Sequence, residues 1–255
     1  MNPFFFGRSE RPLFGIYHAP KPPERGTGVL ICPPIGQEYM RTHRALRQLA
    51  LQLTKVGFPV LRFDYSGVGD SSGLDTEASL DRWLDDTATA ADELKDTAGV
   101  KRIALVGIRL GAALALRAAE RRTDVDSVVL WDPVVRGGDY VGEMIRLNAP
   151  PGSALPPDDG RSPMGMAGFA LTPALRRDLE QLDLAAAGPA HRPRLFLIVS
   201  EERAEYLRLR DGLAGLATPS TYQHIPAGGE WAAAERLGAA LLPHAIIQGI
   251  VSDLS

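Results

Sequence analysis

An arginine lies between two glycines, at the point where an apolar stretch is followed by an alanine-rich one. Arg109 is flanked by Gly107 and Gly111, after the apolar run 102–106 and before an alanine-rich stretch. A guanidinium stays protonated at any working pH, so it has no lone pair with which to attack a carbonyl. Its planar fork of N–H groups instead matches the oxygens of a carboxylate, an enolate or a phosphate. The sequence therefore predicts a cation that could hold an oxyanion, not a nucleophile, at this position.

The histidines and the single cysteine are the other side chains that could do chemistry near neutral pH. His43 is expected on the first turn of a helix facing the predicted cleft, where it could act as a general base, although capping is the commoner role. The remaining histidines show no metal-ligand spacing: His18, His191, His224 and His244. Cys32 has no histidine or basic residue beside it, which favours a buried inert thiol. No metal and no cofactor is expected.

Apolar runs alternate with amphipathic patterns along most of the chain. The run 29–32 shows no polar alternation, which is typical of a strand buried on both faces, and further strands are expected at 60–65, 102–106, 127–131 and 194–199. Helical periodicity lies between them, as in Leu46, Leu49 and Leu53, and a final helix is expected from Glu230 with Pro243 kinking or dividing it. This alternation predicts an α/β fold with a mostly parallel sheet, helices on both faces, and ligands at the carboxyl ends of the strands.

The segment 137–184 interrupts this alternation. Proline and glycine cluster at 149–152 and 156–160, and a stretch with methionine and phenylalanine follows at 164–169. A long irregular insertion inside a compact domain is usually a lid or a disordered loop. We therefore expect a single domain over the whole chain, with a lid or cap insertion at 137–184.

Three motifs, at 29–34, 63–71 and 106–111, occur in the order and spacing found in α/β-hydrolases. The chain resembles most closely the serine-aminopeptidase-like and exosortase-associated branches of that superfamily, from Val29 to its C-terminus apart from the insertion. The resemblance implies an α/β-hydrolase fold with a G-x-S-x-G elbow, whose serine lies on a sharp strand-to-helix turn with no room for a Cβ at either glycine. Here both glycines are present, but Arg109 occupies the position of the serine.

The other two triad positions also depart from the superfamily. Glu230 stands where the resemblance implies a histidine, and the acid would be Glu201, Glu202 or Asp132. Because the serine and histidine of a triad lie within hydrogen-bond reach, Arg109 and Glu230 are expected to form an ion pair on the floor of the cleft. Arg109 would then hold an oxyanion while Glu230 orients it or acts as a base. The alternative is a plain salt bridge in a retired active site.

Further site residues follow from the same resemblance. The backbone N–H groups of Ile35 or Gly36, together with that of Leu110, could still bind negative charge as an oxyanion hole. The methionine and phenylalanine side chains of the insertion would either roof a ligand or only seat the lid on the domain. The expected substrate contacts are Glu38, Tyr65, Asp132, Met164, Met166 and Phe169.

Composition excludes several classes of function. The 255 residues carry 28 basic and 31 acidic side chains, which gives a formal charge of -3. The sequence therefore lacks the excess of basic residues that is typical of nucleic-acid-binding proteins. No stretch approaches the roughly 18 uninterrupted apolar residues of a membrane span, and the N-terminus lacks the pattern of a signal peptide. We expect a cytoplasmic protein that takes a small acyl or carboxylate ligand and binds neither nucleic acid nor membrane. A homodimer or a pathway-protein partner stays open.

Three functions remain from the sequence. The first is a cofactorless non-hydrolytic enzyme, performing cyclisation, isomerisation, decarboxylation or dehydration of an acyl or carboxylate-bearing small molecule by charge stabilisation and positioning. The second is a catalytically inactive pseudoenzyme that serves as a binding or scaffold partner. The third is a hydrolase or thioesterase in which Glu230, Glu202 or His43 activates water. Arg109 favours the first two, because a permanent cation at the elbow would obstruct the usual acyl-enzyme.

Overall fold

A computed structural model of the chain describes residues 1–148, 163–165, 169–186, 188, 191–215, 220–227 and 243–255. Its strands are β1 (Asn2–Arg8), β2 (Arg11–His18), β3 (Thr27–Cys32), β4 (Val60–Phe63), β5 (Arg102–Ile108), β6 (Val125–Trp131), β7 (Met164–Gly165), β8 (Ala170–Leu171), β9 (Arg194–Val199) and β10 (Ser220–His224). Its α-helices are α1 (Gly36–Lys55), α2 (Leu80–Ala98), α3 (Leu110–Glu120), α4 (Gly137–Asn148), α5 (Pro173–Glu180), α6 (Ala204–Ala214) and α7 (His244–Leu254).

Eight strands form one twisted sheet in the order β1-β2-β4-β3-β5-β6-β9-β10. The hairpin β1–β2 is antiparallel and β2 pairs antiparallel with β4, whereas all other pairs in this sheet are parallel. The order is non-sequential around β3 and β4, because each parallel neighbour is reached by a helical crossover. The sequence-based expectation of a mostly parallel α/β sheet is therefore confirmed.

Helices cover both faces of this sheet and bury a separate core layer on each. On one face, Trp83 of α2 and Leu114 of α3 belong to a layer that continues under the apolar side chains of β5 and β6. On the other face, Leu49 of α1 and Ile246 of α7 pack against alternate residues of the same strands. Strands buried on both sides have little room for polar residues, which explains the uninterrupted apolar runs in the sequence.

The segment 137–184 contains more regular structure than its proline and glycine content indicates. It begins with helix α4, forms the short hairpin β7–β8 and continues into α5, which starts from a Thr172 cap that accepts a hydrogen bond from the Leu175 amide. Asp75 accepts a hydrogen bond of 3.1 Å from the Ala170 amide and so connects the hairpin to the main domain. The clusters at 149–152 and 156–160 lie outside the described residues.

Pro243 marks a helix boundary near the C-terminus, which agrees with the expectation that it divides the last helix. Pro243 directly precedes helix α7, which starts at His244, so the proline lies at the boundary of this helix rather than inside it. The N-terminal part of the expected helix, residues 230–242, lies outside the described residues. Among the helices of the described ranges, none combines the length and the apolar character that crossing a bilayer demands.

A buried histidine joins the N-terminal hairpin to the rest of the sheet. His18, at the end of β2, is 3% exposed and its Nε2 accepts a hydrogen bond of 3.2 Å from Nε of Arg62 on β4. Burial and, after it, the neighbouring Arg62 charge lower the pKa of His18 from 6.5 to about 4. The imidazole is therefore neutral at pH 7, as an acceptor facing a guanidinium must be.

This histidine should make the free energy of unfolding depend on pH. Between about pH 6.5 and about pH 4 the unfolded chain binds a proton at His18 and the folded chain does not, so stability falls as the pH is lowered through that window. We expect His18→Gln, which keeps an acceptor for Arg62 but does not titrate, to abolish about 2 kcal/mol of the stability difference between pH 7 and pH 5. Urea unfolding at the two pH values measures the effect.

The matched control is His43→Gln, because His43 lies exposed on α1. It should leave the pH dependence as it is in the wild type. An unchanged pH dependence in the His18→Gln variant would contradict the assignment.

Candidate functional site

The turn from β5 into α3 has the geometry of a nucleophile elbow. The strand ends at Ile108, the helix begins at Leu110, and Arg109 between them has φ 54° and ψ -120°. A positive φ is costly for a side chain with a Cβ and persists only where the surroundings fix it. Here the Arg109 amide donates to the Trp131 carbonyl at 3.0 Å, and the Arg109 carbonyl accepts from the Val134 amide at 3.2 Å.

Two glycines make this turn sterically feasible. A Cβ added to Gly107 would overlap the backbone of Gly111 and Ala112. A Cβ added to Gly111 would overlap the carbonyl oxygens of Cys32 and Pro33 at the end of β3. The expectation that both glycines are required by close approach is confirmed, so the elbow is built although its nucleophile is absent.

The Arg109 guanidinium is held by protein groups on three sides. Nε donates to Glu38 Oε1 at 2.7 Å, Nη2 donates to Glu143 Oε2 at 3.1 Å, and Nη1 donates to the Asp132 carbonyl at 3.4 Å. Tyr140 completes the cluster, because its ring centroid lies 5.6 Å from Cζ of Arg109 and its hydroxyl donates to Glu38 Oε2 at 2.9 Å. Arg109, Glu38, Glu143 and Tyr140 are called the elbow cluster below.

Burial and charge together fix the protonation of this cluster. Arg109 is only 3% exposed, and burial by itself would lower its pKa. The nearby oxygens of Glu38, Tyr206, Glu143 and Tyr140 outweigh burial and raise the pKa of Arg109 well above its ordinary value. Burial and the adjacent Glu38 charge likewise raise the pKa of Tyr140. The cluster therefore holds a permanent cation with a neutral phenol beside it.

Asp132 occupies the carboxylate position at the end of β6. It is 1% exposed and has φ 42°, and its oxygens accept 2.7 Å hydrogen bonds from the amide and the hydroxyl of Ser200, which follows β9. Of the other two candidate acids, Glu201 is exposed and pairs with Arg203 at 3.0 Å. Glu202 is exposed as well, 4.0 Å from the ring of His224. Asp132 is thus the one of the three that lies buried at the elbow.

A cavity of about 290 Å³ opens beside the elbow cluster, between α4 and the start of α6. Its apolar wall is the stretch Pro133, Val134 and Val135 that follows β6. Its charged lining is mixed and comprises Arg109, Arg136, Asp139, Glu143, Arg146, Arg203 and Glu205. This space, called the elbow cavity below, lies at the carboxyl ends of the parallel strands, where α/β sheets bind their ligands.

The expected oxyanion-hole residues lie where backbone amides are available. Leu110 is the first residue of α3 and Gly36, with φ 58°, is the first residue of α1, with Ile35 as its cap. The first N–H groups of a helix have no acceptor within that helix, so they can bind an anion. Ile35 and Leu110 are nearly fully buried.

His43 and Tyr65 lie away from the elbow cluster. His43 lies two turns into α1, not on its first turn, and it lines a different pocket together with Arg62. Tyr65 is fully buried, with its ring 4.9 Å from that of Phe63 and 5.7 Å from that of Trp83, so it belongs to the core and does not contact a ligand.

The apolar side chains that were expected to cover a ligand pack against the core of the main domain. Phe169 is 5% exposed, with its ring 6.2 Å from that of Trp83, and the half-buried Met164 packs against the same core layer. This corresponds to the alternative in which these side chains seat the insertion on the domain. Met166 and Glu230 lie outside the described residues, so the pairing of Arg109 with Glu230 stays a prediction.

Sequence reasoning did not identify Glu143 and Tyr140. Their i, i+3 spacing places them on one face of α4, which was a usable signal once 137–148 is taken as a helix. Glu38 binds Arg109, and its expected contact with substrate stays a prediction. The thiol of Cys32 is buried and burial raises its pKa to about 12, which confirms the expected inert cysteine. No cluster of three metal-binding side chains occurs among the residues that the structure describes.

Known relatives share both the sequence motifs and the fold. Residues 29–157 match the family described as serine aminopeptidase, S33. The human protein named palmitoyl-protein thioesterase ABHD10, mitochondrial, is 32% identical over 102 residues, which are 39% of this chain and 31% of that protein. The match thus spans about a third of the length of this curated relative.

Solved structures extend the likeness to the whole fold. Est1E from Butyrivibrio proteoclasticus, solved with ferulic acid bound, superposes with a TM-score of 0.73 at 15% identity, covering 98% of this chain and 97% of that one. The mouse alpha/beta hydrolase domain-containing protein 10 superposes with a TM-score of 0.64 at 18% identity over the full length of both chains. With the family match extending over half of the sequence, this chain belongs to the serine aminopeptidase, S33, family of α/β-hydrolases.

Proposed function

We propose that this protein binds a carboxylate-bearing small molecule in the elbow cavity and does not hydrolyse it by a Ser-His-Asp mechanism. The observation that carries the proposal is the buried Arg109 at the elbow, whose guanidinium is neutralised by Glu38 and Glu143. A protonated guanidinium cannot form an acyl-enzyme, and it fills the place from which a serine would attack.

The histidines support the same conclusion. All five lie among the described residues, and none of them lines the elbow cavity. His18 is bonded to Arg62, and the ring of His191 bonds to the carbonyl of Val125, at the start of β6. Without an imidazole beside the elbow, there is no base of the usual kind to activate a nucleophile there.

Two exposed arginines that line the cavity support this ligand class. Arg136 and Arg146 are exposed, and Arg136 reaches Asp139 only at 4.0 Å. Exposed guanidinium groups of this kind can bind a carboxylate in a bidentate manner, while Val134 and Val135 contact a short acyl chain. Arg109 itself is too deeply buried to serve as that anchor.

Binding is better supported than non-hydrolytic catalysis by Arg109. Stabilising a developing enolate or oxyanion requires donors that point at the reacting atom. The three nitrogens of the Arg109 side chain instead bond to Glu38, Glu143 and the Asp132 carbonyl. Neutralisation by two carboxylates also weakens the field that this cation could apply to a substrate.

Thioester hydrolysis is the second candidate function, and the similarity to a palmitoyl-protein thioesterase favours it. In this chain the base that activates water would be Glu143, because it lines the elbow cavity and its side chain is 29% exposed. Such a reaction would proceed without an acyl-enzyme, so it is compatible with Arg109.

We expect no covalent labelling by a fluorophosphonate probe and no turnover of palmitoyl-CoA or 4-nitrophenyl butyrate above the buffer rate, since the elbow has no nucleophile and no histidine beside it, and Glu143 is paired with Arg109. Mass spectrometry and a thiol-release assay measure the two outcomes. Thioester turnover that disappears in Glu143→Gln would establish the second function instead. A labelled serine would overturn both.

For the ligand, we expect hexanoate to bind with a Kd at or below about 1 mM, and hexanamide, which lacks the charge, to bind more weakly. Arg146→Gln should weaken hexanoate binding by about three- to fivefold, the range of an exposed ion pair. Isothermal titration measures both, with Arg208→Gln as the control because this arginine lies exposed on α6, away from the cavity lining. Equal affinity for hexanoate and hexanamide would rule out a carboxylate site.

The two ion pairs of Arg109 in the elbow cluster should contribute unequally to the free energy of unfolding. In double-mutant cycles, we expect Arg109→Met and Glu38→Gln to be coupled by about 3 kcal/mol, because both side chains are buried and loss of one leaves an unpaired charge. The coupling of Arg109→Met with Glu143→Gln should be about 1 kcal/mol or less, because water screens the more exposed Glu143. Urea unfolding of the single and double variants measures both cycles, and equal couplings would show that burial does not set the strength of these pairs.

A further inference from the structure

A second pocket lies on the flank of the domain, between α1 and the strands β2 and β4. Its volume is about 170 Å³, and it shares no lining residue with the elbow cavity. Most of its wall is apolar and is contributed by Phe14, Ile16, Pro33, Leu46 and Phe63. We call this space the flank pocket; the site and function described above make no use of it.

Arg62 lines the flank pocket and forms no ion pair within 4.0 Å with the residues that the structure describes, although the carboxylates of Asp64 and Asp70 line the same pocket. It is 8% exposed, and its only hydrogen bond to the described residues is the one that Nε donates to His18. The two Nη nitrogens, with four N–H groups, bond to no carboxylate or carbonyl in the described part of the chain. Burial lowers the pKa of Arg62, and the nearby Tyr39 and Asp64 offset only part of that effect.

Two acidic side chains, Asp64 and Asp70, line the pocket, and neither forms an ion pair with Arg62 within 4.0 Å. Asp64 lies in the same pocket, but one of its oxygens accepts a 2.6 Å hydrogen bond from the Tyr39 hydroxyl and the other accepts one of 3.0 Å from the Asp70 amide. His18 is neutral at pH 7, so it supplies an acceptor but no negative charge.

We propose that the flank pocket binds a small organic carboxylate, with the Nη groups of Arg62 donating to its two oxygens. The planar fork of a guanidinium matches a carboxylate in size and direction, so one ligand would satisfy donors that the protein leaves unpaired. The apolar walls take a single ring or a short branched chain. A volume well under the roughly 300 Å³ of ordinary ligand pockets excludes a long acyl chain. His43 stands at the mouth and contributes a further polar contact.

The test uses benzoate and its neutral analogue benzamide with the full chain. We expect benzoate to bind with a Kd at or below about 1 mM, and benzamide to bind at least tenfold more weakly. Arg62→Gln should weaken benzoate binding at least tenfold. Arg44→Gln, an equal charge change at an exposed position of α1, should change it less than twofold. Isothermal titration gives the affinities.

The location is tested separately, so that a misfolded Arg62 variant cannot decide the result. In the wild type, benzoate should shift the imidazole NMR signals of His43 and leave those of His224 in place, because only His43 lines the flank pocket. Leu46→Trp, which fills the pocket from its apolar side, should abolish the shift and the binding. Equal affinity for benzoate and benzamide, or a shift that survives Leu46→Trp, would overturn the proposal.

The hexanoate site in the elbow cavity and the benzoate site in the flank pocket can be tested independently of each other. Arg146→Gln changes the elbow cavity and should leave benzoate binding unchanged, whereas Arg62→Gln should leave hexanoate binding unchanged. Loss of benzoate binding in Arg146→Gln alone would place that ligand in the elbow cavity and would overturn the flank pocket as its site.

Discussion

The ion pair between Arg109 and Glu38 is the interaction around which the centre of this domain is organised. The guanidinium stands on the turn between β5 and α3, and through Glu38 it fixes the start of α1. Its other nitrogens bond to the Asp132 carbonyl, after β6, and to Glu143 on α4. A charge buried this deeply is stable only when its donors are paired, so four elements must keep their relative positions for the pairing to persist.

The geometry of the elbow is a property of the backbone and does not depend on a nucleophilic side chain. Gly107 and Gly111 are required by close approach of neighbouring main chain, whatever side chain lies between them. The positive φ of Arg109 is held by hydrogen bonds of its own amide and carbonyl to the groups that follow β6. A nucleophile can therefore be replaced at this position without dismantling the turn, and the amides at the start of α3 remain in place.

The scaffold could be predicted from the sequence, whereas the partners of Arg109 could not. Strands buried on both faces produce continuous apolar runs such as 102–106, and these runs identify the sheet directly. Glu143 becomes a partner only because 137–148 is helical, and the prolines that follow this stretch obscured the helix. Tyr65 was misjudged because a residue just past a strand end can turn into the core as readily as into the cleft, and residue spacing does not distinguish the two.

Two buried arginines differ in how their charge is balanced. Arg109 carries two carboxylates of its own chain, so it needs no ligand and leaves binding to the more exposed arginines around it. Among the described residues, Arg62 hydrogen-bonds only to a neutral histidine and forms no ion pair within 4.0 Å, and it lines a pocket that is partly apolar and also contains Asp64 and Asp70. A protein can tolerate an unpaired buried cation when an external anion completes it. The charge of Arg109 is therefore balanced within the protein, whereas the proposal for the flank pocket is that an external carboxylate completes the hydrogen bonding of Arg62.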